Sequence, residues 1–231
     1  MRKSGLLKTI ACTVLTGFYT LNCLAQEDWA NFKAYEQKNR QQIENHDFNP
    51  PKVVFLGNSI TELWNDYHPE FFNNNGFAGR GISGQTTYQM LLRFREDVIN
   101  LSPEYVVIEG GINDIAQNNH TYDEERTFGN ILSMTQLADA AGIKVILCSL
   151  LPAGEIYWNK DIPDVAAKVA SLNKRIKNLA EEKGYPYADY YTPMADSDNA
   201  LDSRYTKDGI HPLPQGYEIM ETVILNALNP Q

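Results

Sequence analysis

Three side chains from opposite ends of this chain have the types needed for nucleophilic catalysis. Ser59 lies in the turn Gly57-Asn58-Ser59 after an apolar run, and Asp208 and His211 are three residues apart near the other end. A serine hydroxyl attacks a carbonyl only when a base takes its proton, and that base needs an orienting group. We therefore expect the serine, the histidine and the acid to act together. The alternatives are an ordinary helix-capping serine and a solvated histidine.

Two further loops could supply hydrogen-bond donors to such a reaction. Gly84 follows the second apolar run, and its backbone N–H could reach a developing oxyanion because glycine permits close approach. Asn113 follows the third run and could add a side-chain N–H, typically worth about 3–4 kcal/mol of transition-state stabilisation. Ordinary tight turns are the alternative for both loops. Ser83 is a rival nucleophile, and we expect Asp114 to brace its loop.

An aromatic pair and the remaining histidines are further candidate site residues. Tyr157 and Trp158 could flank the site and stack on a sugar ring, with ordinary surface or core aromatics as the alternative. His46, His68 and His120 lie in polar stretches without an obvious partner. They do not form the His-x-x-x-His spacing of a metal site. The sequence therefore predicts neither a catalytic metal nor a cofactor.

Alternating apolar runs and amphipathic stretches predict how these loops are held. The expected strands span residues 52–57, 77–82, 105–108, 144–150 and 187–191. Such short runs, rich in branched residues, are typical of a parallel sheet buried on both faces. The loops named above all follow strands or precede the last helix, so a three-layer α/β/α sandwich would bring them together at one edge.

The segments between the strands have the apolar spacing that is typical of helices. One stripe runs from Thr87 to Leu101, a second helix begins at a Thr121–Glu124 capping box, and a third runs between Pro163 and Gly184. A last helix follows residue 213, and an extra helix is expected at about 28–43, before the first strand. Together these segments predict one domain over residues 26–231.

The first 25 residues have the features of a secretory signal peptide. Arg2, Lys3 and Lys8 precede a largely apolar stretch that ends in small residues before Gln26. Lipidation of Cys23 is the rival interpretation. Removal of the three cations takes the formal charge from −9 to −12, which disfavours nucleic acid and anionic membrane surfaces as partners. The segment predicts export to the periplasm or beyond, with no stable membrane span.

Only one cysteine remains after the predicted cleavage. Cys148 follows the apolar residues Val145, Ile146 and Leu147, so it is expected to pack as a small apolar side chain. A single cysteine cannot form a disulfide within the chain. Stability must therefore come from burial, and a catalytic thiol is the minor alternative.

Taken in order, the four loops resemble the sequence blocks of the SGNH (GDSL-type) hydrolase family. The stretch 79–87 is most similar to the branch with acetylhydrolases like those of platelet-activating factor and bacterial carbohydrate acetylesterases. This chain departs from the family at Asn58, where aspartate is usual. We expect that change to affect only local bracing and the pKa environment, because the base is supplied elsewhere. The matching blocks are Gly57-Asn58-Ser59-Ile60, Gly84, Gly111-Ile112-Asn113-Asp114 and Asp208-Gly209-Ile210-His211.

The resemblance implies a flavodoxin-like fold with five parallel strands and a serine esterase without a cofactor. Ser59 would be the nucleophile, His211 the general base and then acid, and Asp208 its orienting group. The oxyanion would be bound by the N–H groups of Ser59 and Gly84 and the side chain of Asn113.

Secretion and an acidic surface favour short acyl esters, most simply acetyl esters, on soluble or polymeric carbohydrate. A lipid-directed esterase or lysophospholipase is the enzymatic alternative. An inactive glycan-binding protein is the alternative from another class. The sequence leaves the oligomeric state open.

Overall fold

The computed structural model describes residues 28–45 and 49–229. The predicted signal peptide and His46 lie outside this part of the chain. The extra helix expected before the first strand is present as α1 (Lys33–Glu44). It begins five residues later than predicted because Asp28 caps the preceding turn, accepting the N–H groups of Phe32 and Lys33 at 2.8 and 3.0 Å.

A five-stranded sheet forms the centre of the fold. Its order is β2-β1-β3-β4-β5, and all pairings are parallel, which confirms the predicted sheet. The last strand is shorter than the expected 187–191, because Tyr191 already begins a helix and its N–H donates to Ser149 Oγ at 2.9 Å. The strands are β1 (Val53–Gly57), β2 (Phe77–Gly81), β3 (Tyr105–Ile108), β4 (Lys144–Cys148) and β5 (Tyr187–Ala188).

Helices cover both faces of the sheet and complete the predicted three-layer sandwich. One layer contains the helices that follow β1 together with the last helix, and the other contains α1 and the long helices from the middle of the chain. Besides α1, the helices are α2 (Ser59–Tyr67), α3 (Pro69–Asn75), α4 (Thr87–Asp97), α5 (Ile112–Ile115), α6 (Glu124–Ala140), α7 (Val165–Lys183), α8 (Tyr191–Met194) and α9 (Pro214–Leu228).

An aromatic cluster fixes α2 and α3 on the sheet. The ring of Phe55 in β1 lies 5.4 Å from that of Trp64 and 5.3 Å from that of Phe72, both edge to face. Such pairs contribute about 0.5–1.5 kcal/mol each beyond burial. A Cβ on Gly81 would lie 2.2 Å from the backbone nitrogen of Glu62, so only glycine allows α2 to pack this closely. The first residue of α2 is thereby held at the end of the sheet.

The capping box predicted at Thr121 and Glu124 is wrong. α6 begins at Glu124, and its N-cap is Asp123, whose side chain accepts the N–H of Arg126 at 3.1 Å. Aspartate is among the strongest N-cap residues and outcompetes the upstream threonine. A capping box occurs instead at the start of α4, where the N–H of Thr86 donates to Gln89 Oε1 at 3.1 Å.

The strand order creates a crevice at the carboxyl end of β1 and β3. The chain leaves β1 for β2 on one side, and β3 pairs with β1 on the other. Ligands of open α/β sheets bind where the strand order reverses in this way. No helix within 28–45 and 49–229 is both long and apolar enough to cross a membrane.

Candidate active site

Ser59 is positioned by the turn that connects β1 to α2. Asn58 is the N-cap, and its Oδ1 accepts the N–H of Ile60 at 2.9 Å. Asparagine thus supplies the capping acceptor that an aspartate would supply at this position. Ser59 begins the helix, where its own N–H has no acceptor within the helix. Its Oγ lies 2.9 Å from Nε2 of His211.

The loop before α9 is folded around the carboxylate of Asp208. One oxygen accepts the N–H groups of Ile210 and His211 at 2.9 and 2.8 Å, and the other accepts Nδ1–H of His211 at 2.8 Å. Burial alone would raise the pKa of Asp208, but these hydrogen bonds outweigh burial and hold the pKa below its usual value. The ionised carboxylate favours a proton on Nδ1, which leaves Nε2 to accept from Ser59.

The two predicted oxyanion residues line the same pocket as Ser59 and His211. Gly84 has a φ of +76°, a left-handed conformation that glycine adopts without strain. Asn113 is buried, and its Nδ2 donates to the carbonyl of Gln85 at 2.9 Å. The structure therefore brings Ser59, His211, Gly84 and Asn113 to one pocket, with Asp208 behind the histidine.

Asp114 braces this arrangement, as the sequence predicts. Its carboxylate accepts the N–H and the Oγ–H of Thr87 at 2.9 and 2.6 Å. Burial raises the pKa of Asp114, and the hydrogen bonds from Thr87 oppose that shift. These contacts join the start of α4, just after the Gly84 loop, to the loop after β3.

The aromatic pair forms one wall of the pocket, which has a volume of about 460 Å³. Tyr157 and Trp158 are 45% and 39% exposed, so their rings are accessible to a ligand. The Trp158 ring is nearly parallel to that of His211, at a centroid distance of 6.5 Å. Sequence reasoning missed Asn118, which also lines the pocket and accepts Nε1–H of Trp158 at 2.9 Å.

Ser83, the rival nucleophile, has a different partner. Its hydroxyl donates to Glu62 Oε2 at 2.5 Å, and its backbone N–H donates to the same oxygen at 2.7 Å. The hydroxyl of Ser83 therefore faces a carboxylate of α2 and not an imidazole. The hydrogen bond to His211 distinguishes Ser59 from Ser83.

A buried arginine network lies beneath the pocket and was not predicted. Arg93 Nη2 donates to the carbonyl of Gly57 at 2.8 Å, and Nε donates to Gln85 Oε1 at 2.6 Å. Its Nη1 donates to Asp97 at 2.8 Å. One guanidinium thus connects the turn before Ser59 to the loop that carries Gly84. The i,i+4 spacing of Arg93 and Asp97 on a predicted helix was the available signal.

Two histidines outside the site do have partners, contrary to the sequence-based expectation. Nδ1 of His68 lies 2.6 Å from Oε1 of Glu221, and the ring of His120 lies 4.3 Å from that of Tyr88. Both pairings join segments that are remote in sequence, so spacing could not reveal them. The described residues contain no group of three or more metal-ligating side chains.

Fold and site together define the class of this protein. The profile of the GDSL-like Lipase/Acylhydrolase family matches residues 55–219, a stretch that contains every residue of the site described above. The chain belongs to this family, which confirms the resemblance seen in its sequence.

Solved structures from two Bacteroides species are similar over almost their whole length. One, from Bacteroides fragilis and assigned to the acylhydrolases, is 54% identical with a TM-score of 0.84, covering 87% of this chain and 97% of that one. A GDSL-like lipase from Bacteroides thetaiotaomicron is 52% identical with a TM-score of 0.82, covering 86% and 97%.

Two curated relatives match over shorter stretches. A lipoprotein of Bacillus subtilis is 35% identical over 82 residues, or 34% of this chain. A multidomain esterase of Ruminococcus flavefaciens is 27% identical over 119 residues, or 52% of this chain. The matched parts make up 34% and 15% of those two proteins, so this chain spans well under two thirds of either.

Proposed function

We propose that this chain is a serine esterase in which Ser59, His211 and Asp208 form the catalytic triad. The observation that carries the proposal is the continuous hydrogen-bonded line from Ser59 Oγ to His211 Nε2 at 2.9 Å and from Nδ1 to Asp208 at 2.8 Å. Its family membership and the esterase activity named for a relative support the same reaction class.

The first half of the reaction transfers the acyl group to Ser59. Its Oγ attacks the ester carbonyl carbon while Nε2 of His211 takes the hydroxyl proton. The resulting oxyanion accepts hydrogen bonds from the N–H groups of Ser59 and Gly84 and from Asn113 Nδ2. The C–O bond to the alcohol then breaks, and His211 returns its proton to the leaving oxygen.

The second half releases the acyl group to water. His211 takes a proton from a water molecule, whose oxygen attacks the acyl carbon, and the same donors hold the second oxyanion. Collapse breaks the bond to Ser59 Oγ, which regains its proton from His211. Asp208 stays ionised throughout and stabilises the imidazolium that forms in each half.

We further propose that the substrate is a short-acyl ester of a carbohydrate, most simply an acetyl ester. The half-exposed rings of Tyr157 and Trp158 next to His211 could stack on a sugar. Asn118 and Ser83 add polar groups to the pocket that could bind hydroxyls. A strongly acidic protein also approaches a neutral glycan more readily than an anionic lipid surface.

Covalent labelling tests the nucleophile directly. A fluorophosphonate should modify Ser59, as located by peptide mass spectrometry, and S59A should lose both labelling and hydrolysis of p-nitrophenyl acetate. The matched control is S83A, which should still be labelled at Ser59. Modification at Ser83, or undiminished hydrolysis by S59A, would overturn the assignment.

A panel of esters tests the substrate class. p-Nitrophenyl acetate should be hydrolysed with a higher kcat/KM than the corresponding octanoyl and palmitoyl esters. Acetate should also be released from acetylated oligosaccharides. A preference for the long chains would favour a lipid-directed esterase instead. Sugar binding without any hydrolysis would favour an inactive glycan-binding protein.

We also propose that residues 1–25 direct export and that residues 26–231 form the mature domain. The basic start followed by an apolar stretch supports this division. Mass spectrometry of the protein from its native cell should find Gln26 at the amino terminus in the periplasm or medium. A lipid-modified Cys23 would show a membrane-anchored form, and an intact Met1 would refute export.

A further inference from the structure

Asn118 joins three segments of the pocket that are distant in sequence. Its Nδ2 donates to the carbonyl of Gly84 and to Oδ1 of Asn113, both at 3.1 Å. Its Oδ1 accepts Nε1–H of Trp158 at 2.9 Å. A single exposed amide is therefore bonded at once to the oxyanion loop, to the proposed side-chain donor and to the aromatic wall.

The groups at the two ends of this series of hydrogen bonds determine which atom of each asparagine donates and which accepts. An indole nitrogen can only donate, so the oxygen of Asn118 must face Trp158 and its NH2 group must face Asn113. Asn113 then presents its oxygen to Asn118, and its own NH2 group faces the carbonyl of Gln85, which can only accept. One proton of that NH2 group is bound by Gln85, and the second remains for the oxyanion.

We propose that Trp158 and Asn118 are positioning residues that keep the NH2 group of Asn113 turned towards the oxyanion. The proposal rests on the esterase function proposed above. The terminal torsion of an asparagine is broad, so an Asn113 without a donor at its Oδ1 is held only by the carbonyl of Gln85 and can swing about that one hydrogen bond. The N–H that remains for the oxyanion then no longer points at it, which raises the barrier.

Trp158 consequently has a role that does not depend on a sugar. The variant W158F keeps an aromatic ring in the wall but removes the only polar group of the indole. With p-nitrophenyl acetate, whose alcohol is not a sugar, its kcat should fall about three- to tenfold, the effect of one net hydrogen bond. Its KM should change little, since phenylalanine keeps an aromatic ring in the wall.

Two substitutions of Asn118 test the middle of this series of hydrogen bonds. N118A removes the donor to Asn113 and should lower kcat about tenfold or more. N118D can still accept from Trp158 but has no NH2 group for Asn113, so it should not rescue the loss. W29F removes an indole that is outside this chain of hydrogen bonds and is the matched control, with an unchanged kcat. Far-UV circular dichroism and thermal unfolding confirm that each variant is folded.

The decisive measurement repeats W158F and N118A in an N113A background. N113A alone should lower kcat about 10²–10³-fold, as expected for an oxyanion donor. If the two residues act through Asn113, neither should lower kcat further once Asn113 is gone. Full additivity of the effects in that background, or a W158F variant with wild-type kcat, would overturn the proposal. Hydrolysis by S59A would instead refute the esterase mechanism itself, so the two failures are distinguishable.

Discussion

Replacing Arg93 with methionine should destabilise the protein severely, because the guanidinium is completely buried. The exposed fractions of the Arg93 and Asp97 side chains are 0% and 3%. Burial lowers the pKa of Arg93, and the Asp97 carboxylate opposes that shift. Methionine is similar in length and apolar, so R93M removes the charge and its donors while largely filling the space.

The magnitude follows from what each partner loses. Asp97 would remain buried with only a neutral donor, Asn39 Nδ2 at 2.7 Å, and breaking such an ion pair costs about 3–5 kcal/mol. Gln85 Oε1 would lose its donor, which costs about 1–3 kcal/mol. The carbonyl of Gly57 loses less, because it also accepts the N–H of Ile82 at 3.3 Å. We expect the free energy of unfolding to fall by about 4–8 kcal/mol, a large part of the ~5–15 kcal/mol typical of a domain.

Equilibrium unfolding in urea at pH 7, followed by far-UV circular dichroism, measures this loss. R93K keeps a charge near Asp97, but one ammonium cannot reach three separate acceptors, so it should be intermediate. R93M/D97L removes both charges and should recover most of the stability. R40M breaks a solvent-exposed pair with Glu36 and serves as the control, with no resolvable change.

Two outcomes would refute this reasoning. The free energy of unfolding of R93M could lie within about 1 kcal/mol of the wild-type value, which is less than the cost of breaking a buried ion pair. Alternatively, R93M/D97L could be no more stable than R93M, in which case the orphaned charge of Asp97 is not what destabilises the single variant.

Two other substitutions test the electrostatics of the site and of the core beside it. D208N should lower kcat by about 10⁴-fold, because an amide facing Nδ1 can favour the wrong imidazole tautomer; steady-state kinetics with p-nitrophenyl acetate measure it, and a loss under about tenfold would contradict the role of Asp208. Burial raises the pKa of Glu109 to about 8, so the folded protein retains a proton that the unfolded chain loses above its ordinary pKa. Wild-type stability should therefore fall with pH from about 4.5 to 8, by up to about 1.4 kcal/mol per pH unit from this group. E109Q removes that dependence, and urea unfolding at pH 5, 6.5 and 8 should show its stability rising relative to the wild type. Parallel pH profiles would refute this.

The sequence predicted the positions of all five strands because their apolar runs are short, continuous and separated by helical periodicity. It also predicted the local geometry around Asp208 and His211, since three-residue spacing within one loop determines whether the two side chains can meet. The contact between Ser59 and His211 spans 152 residues. The expectation for that contact came from the parallel sheet, whose carboxyl edge gathers the loops.

Features that depend on which polar groups meet after folding were not predictable in the same way. Asn118 has an unremarkable setting between a glutamine and another asparagine, and its partner Trp158 lies 40 residues away. Thr121 and Glu124 match a capping pattern as well as Asp123 matches an N-cap, and only the observed start of α6 distinguishes the two alternatives. Tertiary contacts decide where such a helix begins and which polar side chains pair.

Residues of the family blocks and residues outside them have different roles in the proposed site. The family blocks supply the reacting atoms, but each block lies on its own loop, and a shift of about 1 Å between loops is enough to impair catalysis. Arg93 connects the turn before Ser59 to Gln85, whose carbonyl accepts from Asn113. Asn118 connects Asn113 to Gly84 from the opposite side. The relative placement of the blocks is therefore set by polar side chains outside them, and a scaffold with the four blocks but without these two residues should bind the ester and hydrolyse it poorly.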